Sequence, residues 1–318
     1  MRHPVLISAI LGLAMATVAT GRGASSAPLE FEHVMSLGSA GAGPGEFRYV
    51  EDLALNSTGR LLVTDAAHAW VQAFDKRTGK FLARFGGKGD EDHNLDKPEG
   101  IAVDADDHVF VADHITGYIK KYDRSFRWLQ TFSQYGSGKG ESMGAEFMDV
   151  GHGRLYLADA GNHRINVSDL SGRFLFDFGA FGSGPGQFNT PEAAKIGADG
   201  AIYVSDLRND RIQVFDADGK LLRSWGRTGK IAGELKSPAG IAFDKEGNVY
   251  VTEIGNDRIQ VFAANGKFMT MWGKRGTADG EFANLHGIAI DKETGLIYVA
   301  DTGNNRVQVF RPMRRPTQ

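Results

Sequence analysis

Four side chains in this sequence could share one piece of chemistry. Glu51, Glu99, Glu192 and His286 each precede a short apolar run, in "EDLAL", "EGIAV", "EAAKI" and "HGIAI". Ala145 and Ala239 hold the same place before two further runs. Carboxylates gathered at one point repel and raise one another's pKa unless a cation lies between them. Carboxylate and imidazole together suit Zn²⁺, Mn²⁺ or, with more oxygens, Ca²⁺. The same four could equally surround water, or a polar ligand with no metal. The elements that carry them decide whether they meet at all.

Those elements repeat. "DTGNNRVQVF" near the C-terminus has near-copies upstream, and aligning on its acid gives Asp65, Asp113, Asp159, Asp206, Glu253 and Asp301. The spacings are 48, 46, 47, 47 and 48 residues, and a fixed period of this size signals a repeat architecture. Within the fifth copy, "GIAFD", "VYVTE", "IQVF" and "FMTMWG" are short β-branched or aromatic runs separated by Gly, Asn and Asp. Such punctuation predicts four strands per copy and no helix. Four strands in each of six units predicts an all-β fold, a six-bladed β-propeller. The last copy lacks its fourth strand, whereas "EHVMSLG" (32–38) precedes any complete copy. The N-terminal strand is therefore expected to close the last blade, with Val34 and Leu37 in the places of Leu222 and Trp225.

In this arrangement the residues before each first strand ring one mouth of a central channel, together with the loops that follow the recurring acids. The acids themselves, with Arg164, Arg211, Arg258 and Arg306, read as structural, since a residue used in every copy seldom makes a single site. Copies one and two depart from the pattern, with Trp70 and Tyr118 in place of Arg and with His68 and His114 in the adjoining loops. Aromatic rings beside polar groups suit peptide or sugar surfaces. They suit equally well the covering of a neighbouring blade. The third copy, "KGESMGAEFMDVGHGR", lacks the Pro-x-Gly start and reads as drift.

The 318 residues include no cysteine, which excludes disulfides, thiolate metal sites and a cysteine nucleophile. Residues 1–26 read as a signal peptide: Arg2 and His3, an apolar run from Val5 to Val18, then small residues. Cleavage would leave a secreted or periplasmic chain with no membrane span. It removes Arg2 and Arg22 and no acid, taking the net charge from −3 to −5. A mildly acidic surface does not favour nucleic acid. The propeller is expected over 27–311, followed by a basic tail, 312–318. No Gly-x-Ser-x-Gly occurs, and "GSGKGES" (136–142) lacks the spacing of a phosphate loop.

The segments "PEGIAVDADDHVFVAD" (98–113), "GIAFDKEGNVYVTEIGNDRIQVF" (240–262) and "GIAIDKETGLIYVADTGNNRVQVF" (287–310) resemble NHL repeats, as does the spacer "GSGPGQFNTP" (182–191). The resemblance covers about 31–311 and implies a six-bladed propeller. The family includes RNA- and protein-binding domains, kinase sensor domains and the peptidyl-hydroxyglycine amidating lyase, a zinc enzyme. In that lyase, histidines before the first strands of alternating blades hold the zinc. The resemblance therefore implies Glu99, Glu192 and His286 as the metal set, with only His286 keeping the ligand type. The lyase's loop tyrosine has no counterpart, its place being taken by Ala67, Ile115, Gly161, Arg208, Gly255 and Gly303. The expected function is a monomeric binding scaffold for a protein, peptide or glycan, with Glu51, His68, Trp70, His114 and Tyr118 at its upper face. The alternative is a lyase or hydrolase dependent on zinc or calcium, sited at the channel mouth.

Overall fold

The computed structural model describes residues 29–314. Its regular secondary structure is all strand apart from short 3₁₀ turns after the acids of repeats three, four and six. Each repeat is an antiparallel meander. In repeat one the strands are Val50–Leu55, Arg60–Asp65, Trp70–Asp75 and Phe81–Gly86, paired in that order. Repeats one, two, five and six each lie in a four-stranded sheet, whereas repeats three and four share a sheet of eight strands. The two halves of that larger sheet join through one parallel pair, Phe147 with Ala193.

Glycine sets how tightly the hairpins and neighbouring sheets pack. Gly219, in the turn before Leu221–Trp225, has φ +85°, and a Cβ there would lie 2.7 Å from the Phe178 ring of the preceding repeat. Only glycine takes that conformation at no steric cost. The strands Val50–Leu55, Pro98–Val103, Ala145–Gly151, Pro191–Ile196, Pro238–Phe243 and Ile288–Ile290 are innermost. Each touches the next, and Ile288–Ile290 returns to touch Val50–Leu55. Radial sheets around a shared axis are a β-propeller arrangement. Gly100, Gly240 and Gly287 allow the close approach, because a Cβ on them would lie 2.2 Å from the Glu146 carbonyl, 2.5 Å from that of His286 and 2.5 Å from that of Glu51. Hydroxyls then tie repeat to repeat. Thr64 donates to the Glu99 carbonyl at 2.9 Å, Ser205 to Ala239 at 2.6 Å, Thr252 to His286 at 2.5 Å and Thr302 to Val50 at 2.6 Å.

The chain ends meet as the repeat count requires. Leu29–Leu37 pairs antiparallel with Arg306–Arg314 and forms the outer strand of the last sheet. Its side chains enter two cores. Met35 and Leu37 pack with Tyr298, Val307 and Val309, and Leu29 and Phe31 pack with Ile297 and Phe310. Phe31 also stacks on Trp272 at 3.7 Å. Val34 does not join them: the register shifts between His33 and Met35, and its side chain is exposed.

The expected tail boundary moves. The strand continues past Phe310 to Arg314, and Pro312 lies opposite Phe31. Beyond Phe310 it has a neighbour on one side only, which is where a strand tolerates proline's missing N–H. The signal-peptide reading, and the tail from residue 315 onward, lie outside the described residues.

The recurring acids are fully buried and fully used. Asp206 accepts the Asn189 N–H at 2.7 Å, Asn209 Nδ2 at 2.8 Å and Arg211 Nε at 2.7 Å. Asp159, Glu253 and Asp301 repeat the pattern with Arg164, Arg258 and Arg306. The backbone donors belong mainly to the connector before the inner strand rather than to the loop after the acid, so the clamp locks one end of each repeat onto its own beginning.

Candidate functional site

The inner strands deliver an acidic chamber to one mouth of the channel. Glu51, Glu99 and Glu192 are there as expected, all nine-tenths or more buried, with His286 equally buried. A fourth carboxylate joins them. Glu146, not Ala145, holds the mouth position of repeat three, since Ala145 pairs with Asp159 as Pro98 pairs with Asp113. The turn at His152–Gly153 makes this hairpin one residue shorter, so counting back a fixed distance from the acid lands one residue early. Five repeats thus offer a carboxylate or imidazole, and Ala239 alone offers neither.

The four carboxylates are unlike in their surroundings. Glu99 pairs with Lys97, and its Oε2 lies 2.8 Å from His114 Nδ1. Burial alone would raise its pKa, but the close approach of His114 and Glu146 and the Lys97 charge bring it down to about 2. Glu146, 2.9 Å from the same imidazole nitrogen, goes the opposite way. Burial, then the Glu192 and Glu99 charges, hold it well above the usual carboxylate range. Burial and the Glu99 charge push Glu192 up to about 8. Glu51 is raised strongly by burial and by Glu99 and Glu192. Among the described residues, Glu192 makes no side-chain hydrogen bond or ion pair, and Glu51 meets only His286, at 3.9 Å.

His286 Nδ1 lies 3.0 Å from the Asn284 carbonyl, which can only accept, so this nitrogen carries the proton. Burial holds the imidazole neutral, with its pKa down at about 4, and Nε2 faces Glu51 with a free lone pair. The Tyr49 ring lies 6.2 Å away. Tyr49 and Lys97 also line an open hollow of about 320 Å³ on the upper face, together with Ala66, Ala67, Lys88, Asp96 and Ile115. This partly apolar hollow adjoins the acidic chamber through those two residues.

Deeper in the channel, Lys195 of repeat four reaches Asp52 of repeat one at 2.9 Å and donates to the Met148 carbonyl at 3.0 Å. Both side chains are buried, and Asp52 Oδ1 has no partner. Asp52 stands where Gly100, Gly240 and Gly287 stand in other repeats, and Lys195 stands where four of them have alanine. Neither departure entered the sequence reading, though both were visible in the alignment.

The structure does not draw the remaining expected residues into the chamber as a set. Trp70 lies between His68, stacked at 4.5 Å, and Arg84, whose guanidinium is 4.4 Å above the ring. His68 takes over the pairing that arginine makes elsewhere, its Nδ1 lying 2.7 Å from Asp65. Tyr118 is exposed, with the Lys120 ammonium 5.8 Å from its ring. Of the metal set Glu99, Glu192 and His286, only Glu99 belongs to a group of three whose ligating atoms lie within 4.8 Å of one another; its companions are His114 and Glu146. The alternating arrangement of the amidating lyase therefore does not fit these residues.

This chain carries NHL repeats, matched by the family model at residues 235–262 and 282–310, on a β-propeller. Among solved structures it resembles streptogramin B lyase, at 13% identity over 90% of this chain and 98% of that one, with a TM-score of 0.63. A Bacteroides thetaiotaomicron protein of unknown function is 15% identical over 90% of this chain and 76% of its own, with a TM-score of 0.67. Hydrazine synthase from Kuenenia stuttgartiensis is 12% identical over 88% and 99%, with a TM-score of 0.59. These likenesses concern the fold, extend across propellers of different activities, and do not single out the amidating lyase. No curated protein matches the sequence. No helix among the described residues is long and apolar enough to cross a membrane.

Proposed function

We propose that this protein is an exported, monomeric, six-bladed NHL propeller that binds a protein, peptide or glycan partner at its upper face. The blade count takes the eight-stranded sheet as two blades merged at the Phe147–Ala193 pair. The partner covers the hollow beside Tyr49 and Ile115 and places a cationic group in the chamber beneath. One observation carries this reading. Glu51 and Glu192 are buried and lack a full counter-charge from the chain, a costly arrangement that adds nothing to folding.

Thermal-shift titration with peptides and amino sugars, using EDTA-treated protein at pH 7, tests it. Ligands bearing an amine or guanidinium are expected to stabilise the wild type and to lose that effect in Glu51→Gln/Glu192→Gln. Equal stabilisation of both proteins, or stabilisation only by uncharged ligands, would exclude the chamber as the site.

A metal-dependent lyase or hydrolase at the same mouth is the second reading, favoured by the lone pair of His286 Nε2 beside Glu51. There His286 would act as base and Glu51, kept protonated, as acid.

A further inference from the structure

Three ligating atoms from two neighbouring repeats converge at one side of the chamber. Glu99 comes from the inner strand of repeat two, Glu146 from that of repeat three, and His114 from the loop that follows Asp113. The imidazole Nδ1 lies 2.8 Å from one carboxylate oxygen and 2.9 Å from the other. Yet this buried nitrogen makes no aligned hydrogen bond with either. Spacing without alignment is what three ligands around a missing centre would show.

A second observation points the same way. Glu192, only 8% exposed, has no hydrogen-bond or ion-pair partner among the described residues, and it stands beside Glu146, since the residues that follow the two, Ala193 and Phe147, are paired. Lys97 is the one lysine or arginine paired with these carboxylates among the described residues, and it comes from the rim, where its side chain is about one-third exposed. It fills the cation's role on Glu99 from outside.

We propose that Glu99, His114 and Glu146 are the protein ligands of a six-coordinate divalent ion, Mn²⁺ in preference to tetrahedral Zn²⁺. Neighbouring ligands about 2.1 Å from an octahedral ion stand ~3.0 Å apart, whereas a tetrahedral ion of that bond length spreads them to ~3.4 Å. The observed 2.8 and 2.9 Å match the first. Three protein ligands leave positions open for water or a partner's oxygen. The set differs from the alternating one that the amidating lyase implies, because adjacent blades and a loop supply it. The proposal rests on the chamber being the ligand site.

The test is Mn²⁺ binding to the EDTA-treated full chain, followed by continuous-wave and pulsed electron paramagnetic resonance. One ion per chain is expected, with a directly bound nitrogen seen in the pulsed spectrum. His114→Ala should abolish that nitrogen signal, and Glu146→Gln should weaken binding at least about tenfold, the loss already typical of an outer-shell partner. Lys97→Met should tighten binding, because it removes the competing ammonium. Asp106→Asn serves as control for the other convergent group, Asp104, Asp106 and His108, and should change nothing. Failure to bind Mn²⁺, binding without nitrogen, or binding lost in Asp106→Asn but kept in Glu146→Gln would each overturn the assignment. The amine titration above uses metal-free protein and other residues, so its failure is read separately.

Discussion

Two sets of buried carboxylates occupy the same propeller and are treated oppositely. The acids of the recurring clamp are fully buried, and each faces backbone N–H groups, with arginine and asparagine added in repeats three to six. The glutamates of the mouth are almost as buried, but they face one another. In the clamp, carboxylate oxygens that burial strips of water regain hydrogen-bond donors, and those bonds hold the connector in place. At the mouth, burial and like charge act together, and three of the four carboxylates are pushed toward the neutral form. Repetition with complete pairing marks what the fold needs, and unlikeness with incomplete pairing marks what the fold tolerates for another purpose.

The comparison breaks first at the clamp. Asp206→Ala takes the acceptor from Arg211 and from the neutral donors of Asn189, Asn209 and Gln213, and is expected to cost about 3–5 kcal/mol, as for a buried pair that loses one partner. Urea denaturation measures it, and a loss below 1 kcal/mol would remove the clamp from the structural side. Lys195→Met should cost somewhat less, about 2–4 kcal/mol, because it leaves Asp52 buried and unpaired. Asp52→Asn/Lys195→Met should recover most of that loss. No recovery in the double variant would mean that Lys195 acts through its bond to the Met148 carbonyl instead.

The period and its strand punctuation made the propeller and its N-terminal closure legible, because local strand signals and the count agreed. The clamps were legible for the same reason, six copies of one pattern. Glu146 was not, since a one-residue shortening of its hairpin hides it from any fixed offset. The chamber's inequality was not legible either. Glu99 meets Lys97 and His114 close by in its own repeat, but that Glu146 shares the same imidazole and that Glu51 and Glu192 have no cation depends on packing between repeats about 47 residues apart in the chain. Trp70 and Tyr118 stood out correctly as departures, but the stacking of Trp70 between His68 and Arg84 comes from sheet geometry and leaves it no open face.

A smaller effect tests the mouth. Glu192 has a folded-state pKa raised to about 8 from an ordinary 4.5. The folded protein therefore binds the proton more tightly than the unfolded chain. Its contribution is fully present below about pH 4.5 and is lost as pH rises through about 8. Glu192→Gln keeps the neutral shape at every pH, so it should gain ~1–3 kcal/mol at pH 8 and almost nothing at pH 4, measured on EDTA-treated protein. A gain independent of pH, or a loss, would place Glu192 with the clamp acids.

The smallest change exchanges one solution for another. Repeat one meets Asp65 with His68 and covers it with Trp70, where repeat four uses Asn209 and Arg211. His68→Asn/Trp70→Arg rewrites the first loop in the pattern of the fourth. Asp65 keeps two donors, and Arg84 loses its ring while gaining a like-charged neighbour. The donors gained and the packing lost are each about 1 kcal/mol in size, so stability should move by less than about 1 kcal/mol. Partner binding should nevertheless fall if the upper face uses the His68–Trp70 stack. A loss of more than about 2 kcal/mol would show that the stack holds the sheet edge, and binding unchanged beside unchanged stability would leave the mouth alone as the site.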